Sequence, residues 1–480
     1  MKIQFLGAAQ QVTGSKHLIT TDKGHKILLD CGMYQGKGLE TDAANRDLGF
    51  DPREIDCVVL SHAHIDHSGL LPYIYKLGFR GDIYSTPATR DLCAIMLEDT
   101  AYIQALDAKW YNKKIEKKKA EEKRAHKRGE KFQSQYEYAS VLYDSTHVQH
   151  VMQHFVTTGY DRVIRITDDA LLTFTNSGHM LGSAVCNLTI EGKKIAYTGD
   201  LGRMHSHILS APKPFAQCDY LICESTYGDR IHEDELVTKE ELLGIVKETC
   251  EYKKGKLIIP SFSVGRTQEI VYVLNELYNE MALPKVRVYV DSPLAVNATH
   301  IFRMYMNDLN EDVQQTLRTD SDPFGFTSLT YITDINQSKR LNTSDEPCII
   351  ISASGMLEAG RVKHHVANHI SDPTTTILIV GYCTPSSLGA RIQDPKLEWI
   401  SIFGIDRKIK AQVTKIEGFS GHGDWREMTA YLQQSLATNK VRRTFIVHGE
   451  KQAQVAYEQH LHEIGLNDTV IPALGEEFIL

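Results

Sequence analysis

Four side chains able to bind metal, His62, His64, Asp66 and His67, crowd into SHAHIDHSG and constrain this chain more than any other feature of it. They follow directly on DCVVL (Asp56–Leu60), a short apolar run of the kind that forms a buried strand. Where that strand ends, a tight turn brings the four into one small volume before a helix begins. Imidazoles at i and i+2 can face the same cation from an extended turn, and Asp66 and His67 can face a second one beside it. Neutral imidazole and carboxylate together suit zinc, manganese or iron. A turn made polar for solubility alone gives no reason for this spacing.

Two cations need more than four ligands, and the chain offers others at comparable places. Asp30 ends an apolar run in ILLDCG, Asp200 ends another in AYTGDLG, and His448 ends a third in FIVHGE. Asp200 is placed to bridge two ions with its two oxygens. His179 stands in NSGHMLGSA, where Gly178 and Gly182 let backbone approach closely. A lone histidine is more often structural than a ligand. The shared position at strand ends beside small residues sets these apart.

The remaining sequence reads as a layered α/β protein. Lys2–Leu6, Leu18–Thr20, Lys26–Asp30, Leu171–Phe174, Lys194–Thr198 and Tyr220–Cys223 read as strands. His67–Leu77 has helical spacing, with Leu70, Leu71, Ile74 and Leu77 on one face. Strands that deliver polar residues at their carboxyl ends suit a site along one rim. After Tyr227 the pattern changes to strand–loop–helix units such as KLIIPSFSVGRTQEIVYVLNELY, and from about Thr384 shorter units return. The 480 residues suggest two or three domains. Lys109–Lys131 is a highly charged helical segment with a basic excess, read either as a solvated insertion or as an arm that touches phosphates.

Composition narrows the setting. Hydrophobic and charged fractions of 42% and 24% are ordinary for a folded soluble protein. No apolar stretch is long enough to span a membrane. The segment MKIQFLGAAQQVTG lacks the basic-then-apolar pattern of a secretory signal, so none is expected. Nine cysteines, with no C-x-x-C pair, argue against a disulfide framework or a thiolate zinc site and favour a reducing cytoplasm. With a formal net charge of −8, a polyanionic substrate would need a local cationic cleft, which bound metal ions could create.

The ordered set Asp30, His62-x-His64-x-Asp66-His67, His179 and Asp200 resembles the first four motifs of the metallo-β-lactamase superfamily. Later segments narrow the resemblance to the β-CASP nucleases. CESTYGDR carries Glu224 at the acidic motif A, GFSGHGD carries His422 at motif B, and VHGE carries His448 at motif C. SFSVGRTQE, DSPLAVNAT, ASGMLEAGRVKHH and GYCTPSSLGAR match as well. The resemblance spans the chain apart from the charged Lys109–Lys131 segment, and is strongest to bacterial and archaeal relatives of the cleavage-and-polyadenylation endonuclease.

This resemblance implies an α/β fold: a four-layer αββα sandwich formed by 1–230 plus 385–480, with an α/β β-CASP domain, 231–384, inserted. The substrate would lie in the cleft between them. It further implies a cofactor of two zinc ions, with manganese as the alternative. His62, His64 and His179 would hold one ion, Asp66, His67 and His448 the other, and Asp200 would bridge them. Asp30 would orient a ligand histidine. His422 would protonate the leaving 3′-oxygen, and Glu224 would orient that imidazole. Arg266 and Ser354 would bind flanking phosphates at helix N-termini, ordinary capping and salt bridging being the competing account. In the family a motif C histidine goes with ribonucleases, whereas the DNA-processing branch typically has valine, so His448 points to RNA. The expected partner is single-stranded RNA, with 5′-phosphate and 3′-hydroxyl products; no membrane is expected, and a homodimer is compatible. The rival readings are a DNA nuclease on the same scaffold, a small-molecule hydrolase and a catalytically silent RNA-binding partner.

Overall fold

A computed structural model describes residues 1–36, 39–126, 138–215, 217–232, 235–384, 386–416, 418–436 and 441–480. Two seven-stranded sheets stack face to face. The first runs in the order Glu477–Ile479, Lys2–Phe5, His17–Thr20, Lys26–Leu29, Cys57–Val59, Asp82–Ser85 and Phe155–Thr157. The second runs Thr469–Val470, Arg443–Ile446, Tyr220–Cys223, Lys193–Tyr197, Ala184–Ile190, Ala170–Asn176 and Ile164–Arg165. Ile3, Phe5, Ile27, Leu29 and Val59 from one sheet meet Leu172, Phe174, Leu188, Tyr197 and Phe445 from the other, all buried. Burying both inner faces is what drives the sheets together. Helices Trp425–Leu436 and Lys451–Glu463 cover the outer face of the second sheet through Met428, Tyr431, Leu432, Tyr457 and Leu461. Helices 71–76 and 145–151 and the start of the Pro87–His126 helix cover the first. The result is αββα.

The strand ends carry the chemistry. Lys26–Leu29 and Cys57–Val59 are parallel, and so are Lys193–Tyr197, Tyr220–Cys223 and Arg443–Ile446. Their carboxyl ends therefore open on one rim, which brings Asp30, His62, Asp200, Glu224 and His448 together from distant parts of the chain.

A third sheet has six parallel strands in the order Leu329–Tyr331, Arg287–Val290, Cys348–Ser352, Lys256–Pro260, Thr376–Ile379 and Gln412–Lys415. Residue 384, where the sequence reading ends the insert, falls between its last two strands in chain order. Val413 packs with Ile258, Ile377 and Ile379, a contact that an apolar pattern read strand by strand does not reveal.

Two local expectations change. The helix expected over His67–Leu77 is two short ones, Ile65–Ser68 and Leu71–Lys76, with Gly69 closing the first and Pro72 in the first turn of the second. The charged segment belongs to a much longer helix, Pro87–His126, of 40 residues. Residues 127–131 of that segment lie outside the described residues. Among the described residues no helix is long and apolar enough to cross a membrane. The nine cysteines are all free thiols, eight of them buried.

Candidate metal centre

The rim gathers two groups of imidazoles around one carboxylate. His62 Nε2 and His179 Nε2 lie 3.2 and 3.0 Å from His64 Nδ1. On the other side His67 Nε2 lies 3.1 Å from His448 Nε2, with Asp66 Oδ2 3.6 Å from the latter. Asp200 stands between the two. Its Oδ2 faces the first group, 3.5 Å from His62 Nε2 and 3.5 Å from His179 Nε2. Its Oδ1 faces the second, 3.2 Å from His67 Nε2 and 3.5 Å from His448 Nδ1. His62, His64, His179 and Asp200 thus converge as one potential ligand set, and Asp66, His67 and His448 as another.

Donors beneath the cluster hold it in shape. Asp30 Oδ2 accepts from Ser61 Oγ at 2.7 Å and Tyr197 Oη at 2.6 Å and lies 2.7 Å from His67 Nδ1, while Oδ1 accepts from the Ser61 amide at 2.7 Å. Bonding His67 through Nδ1 leaves its Nε2 for the cluster. Gly421 O does the same for His179 through Nδ1 at 3.0 Å. Thr226 Oγ1 lies 3.0 Å from His448 Nδ1, so that ring too is oriented from behind. Asp30 and His448 both have left-handed backbone, with φ of 57° and 51°. Non-glycine residues avoid that region, and the strain is tolerated at functional sites where the surroundings hold the turn.

The electrostatics suit a cation. Burial, reinforced by neighbouring imidazoles, pushes His62 and His179 well below the ordinary imidazole range, so both are neutral with free lone pairs. Burial takes His64 down to about 4 despite Asp66 and Asp200. For Asp66, burial opposes ionisation, yet His448 and His67 bring it down to about 2. Asp200 Oδ1 is buried without a hydrogen-bond partner. Neutral imidazole nitrogens on the Oδ2 side of Asp200, and an Oδ1 on its other side that lacks a well-formed hydrogen bond, make a donor set that fits metal ions.

Beside this cluster lies a histidine–carboxylate pair. Glu224 is fully buried and accepts from the Leu201 and Thr226 amides. Its Oε1 lies 3.3 Å from His422 Nδ1, while His422 Nε2 points to Asp200 Oδ2 at 4.0 Å. Burial lowers the His422 pKa, but Glu224, with Asp200 and Asp66, overcomes that and raises it to about 9.

The metallo-β-lactamase superfamily matches residues 14–89, the Beta-Casp domain 267–392 and the Zn-dependent metallo-hydrolase RNA specificity domain 406–472. A protein named Ribonuclease TTHA0252 from Thermus thermophilus is 34% identical, covering 95% of this chain and 95% of its own length. The chain belongs to the β-CASP family of the metallo-β-lactamase superfamily. An RNase J-like protein of Methanocaldococcus jannaschii is 31% identical over 98% of both chains. Transcription termination factor FttA of the same organism is 30% identical over 98% of this chain and 70% of its own. A crystal structure of a protein of unknown function from Enterococcus faecalis shares the fold, with a TM-score of 0.55 at 13% identity over 100% of this chain and 99% of that one.

In this β-CASP chain the two expected phosphate-binding residues sit differently from the rest. Arg266 opens the Arg266–Asn279 helix and is largely buried, paired with Glu269 at 3.3 Å and lying over the Phe419 ring, with its Nε unpartnered. Ser354 Oγ accepts from the Glu358 and Ala359 amides at 3.2 and 3.4 Å, so its hydroxyl is occupied in capping a turn. Ser61, Tyr197, Thr226 and Gly421 were missed in the sequence. Ser61 alone carried a signal, as the residue preceding His62 at the strand end.

Proposed function

We propose that this chain is a metal-dependent ribonuclease that hydrolyses single-stranded RNA to 5′-phosphate and 3′-hydroxyl ends. The relatives named as ribonucleases and the RNA specificity domain support that substrate class. The observation that carries the mechanism is the position of Asp200, one oxygen towards each histidine group, with His422 Nε2 4.0 Å away.

His62, His64 and His179 would hold one ion, Asp66, His67 and His448 the other, and Asp200 both. When bound, two zinc ions supply activation of water and charge neutralisation at phosphorus. Asp30 keeps His67 in the tautomer that offers Nε2, acting through its 2.7 Å contact as a positioning residue. Water oxygen bonds to phosphorus, its displaced proton passing to solvent, and the bond from phosphorus to the 3′-oxygen breaks. His422, protonated through Glu224, delivers its proton to that oxygen from Nε2. Glu224 then holds the imidazole in place for reprotonation. Arg266, buried with an unpartnered Nε, is the better candidate of the two for a flanking phosphate. The insert would begin near Ile231 and take in the Gln412–Lys415 strand.

The test uses internally and terminally labelled RNA beside DNA of the same sequence, with protein purified without chelator. Cleavage of RNA well above DNA is expected. Equal or better cleavage of DNA overturns the RNA reading.

A further inference from the structure

The long helix Pro87–His126 has a packed side and a bare side. It starts at the metal-site rim, where Thr86 and Thr89 hydroxyls donate to Gly182 O in the loop that carries His179. Its next turns pass the inserted domain, with Tyr305 Oη donating to Asp91 at 2.7 Å. Further on, the covered residues are Ala101, Gln104, Ala108, Asn112, Ile115, Lys119 and Glu122, a three-or-four spacing along one face. That face holds the returning chain: Gln104 accepts from the Leu142 amide, and Asn112 exchanges hydrogen bonds with the Ala139 backbone.

The opposite face is exposed. Tyr102 and Trp110 are 63% and 65% accessible, with Leu106 between them, and Lys113, Lys117 and Arg124 continue the same face. A solvated helix has no use for two bare aromatic rings in line. Between Tyr102 and Arg124 the sequence places seven lysines and one arginine against four carboxylates, in a chain whose net charge is −8. Lys114 Nζ already lies 5.0 Å from the Trp110 ring centroid, so ring and cation stand side by side. Flat rings interleaved with cations match the two recurrent features of a single strand, base faces and phosphates. At about 1.5 Å rise per residue, Tyr102 stands roughly 22 Å and Arg124 roughly 55 Å along the axis from Pro87. The face is therefore beyond the reach of the nucleotides at the scissile bond.

We propose that the face bearing Tyr102, Leu106, Trp110, Lys113, Lys117 and Arg124 is a second binding surface for single-stranded RNA, which engages the strand outside the catalytic cleft. It rests on the reading that RNA is the substrate. Bases stack on Tyr102 and Trp110, and Lys113, Lys117 and Arg124 meet the phosphates that follow. The surface serves long substrates and is silent for short ones.

The test compares a long unstructured RNA with a hexanucleotide, using the full chain. In Tyr102→Ala/Trp110→Ala and in Lys113→Glu/Lys117→Glu, KM for the long RNA should rise about 10-fold. Its kcat, and both constants for the hexanucleotide, should stay unchanged. In a Trp399→Phe/Trp425→Phe background Trp110 is the sole tryptophan. Its fluorescence should be quenched by the long RNA in chelator, where nothing is cleaved. An unchanged KM for the long RNA, or unquenched Trp110, overturns the proposal. So does conversion of a dimer to a monomer by the variants with RNA affinity intact, which would make the face a contact between copies. If the unsubstituted chain cleaves neither RNA, the ribonuclease reading itself has failed. If it cleaves both and Trp110 stays silent, this inference alone has failed.

Discussion

His422 presents Nδ1 to Glu224 Oε1 at 3.3 Å, so its other nitrogen is the one left facing the cluster. Glu224 cannot rotate away, because the Leu201 and Thr226 amides hold its two oxygens. In the proposed mechanism the pair supplies a proton rather than completing a ligand set.

His422→Ala should therefore keep its metal content and its RNA affinity while turnover falls by about 10²–10⁴-fold. Glu224→Gln should be impaired in the same step. A substrate with sulfur in place of the bridging 3′-oxygen has a leaving group that hardly needs protonation. It should rescue His422→Ala and leave His64→Ala inactive. Loss of metal from His422→Ala, measured by elemental analysis, would reassign this residue as a ligand.

Metal content follows from the two donor sets. Protein purified without chelator should contain about two ions per chain. Asp30→Asn should weaken metal retention about 10- to 100-fold, because His67 loses the carboxylate that selects its tautomer. Dialysis against graded chelator followed by elemental analysis checks both statements. A reproducible single ion with full activity contradicts the two-site arrangement.

Gly32 lies against the turn that carries Asp66. A Cβ there would stand 1.6 Å from the Asp66 carbonyl oxygen and 2.8 Å from the Ser15 amide nitrogen, both backbone atoms. Gly32→Ala should therefore displace Asp66, cost on the order of 1–3 kcal/mol of stability, and lower metal content at the second set. Thermal unfolding and metal analysis of the variant read this. An unchanged Tm with full metal content would show that the turn yields freely.

Lys16 makes stability depend on pH. Burial lowers its ammonium to about 8, with Cys31 and Asp47 opposing the shift only in part. The unfolded chain holds that proton up to 10.5, the ordinary lysine value. Between these limits the unfolded state binds more protons, so folding gains stability as pH rises through this window. Below about 8 both states are protonated and the cost of the buried charge is fully present. Unfolding midpoints measured from pH 7.5 to 10 should rise more steeply in the parent than in Lys16→Met. Identical slopes would refute the assignment.

Much of this site was legible because its residues announce themselves locally. His62, His64, Asp66 and His67 share one turn, and Asp30, Asp200, Glu224 and His448 each end an apolar run that became a strand on the same rim. Tyr197 and Thr226 were not legible. Each is an unremarkable residue until the sheets pack and bring it against Asp30 or His448. The break between Ile65–Ser68 and Leu71–Lys76 was written in Gly69 and Pro72, but the apolar spacing across it read as one helix. The reach of the third sheet to Gln412–Lys415 depends on pairing with Thr376–Ile379, a relationship between strands and not within one. The Pro87–His126 helix was seen only through its charged half, since its first turns carry the mixed pattern of a helix buried against two neighbours.

Where the oxygen of water ends up tests the proposed chemistry most directly. A single-stranded RNA cut by the metal-loaded protein in ¹⁸O-labelled water should give downstream fragments whose 5′-phosphate carries the label, and upstream fragments ending in an unlabelled 3′-hydroxyl. Mass spectrometry of the fragments reads both ends at once. Unlabelled 5′-hydroxyl ends paired with 2′,3′-cyclic phosphates would mean that the RNA's own 2′-hydroxyl attacked, and would contradict the account.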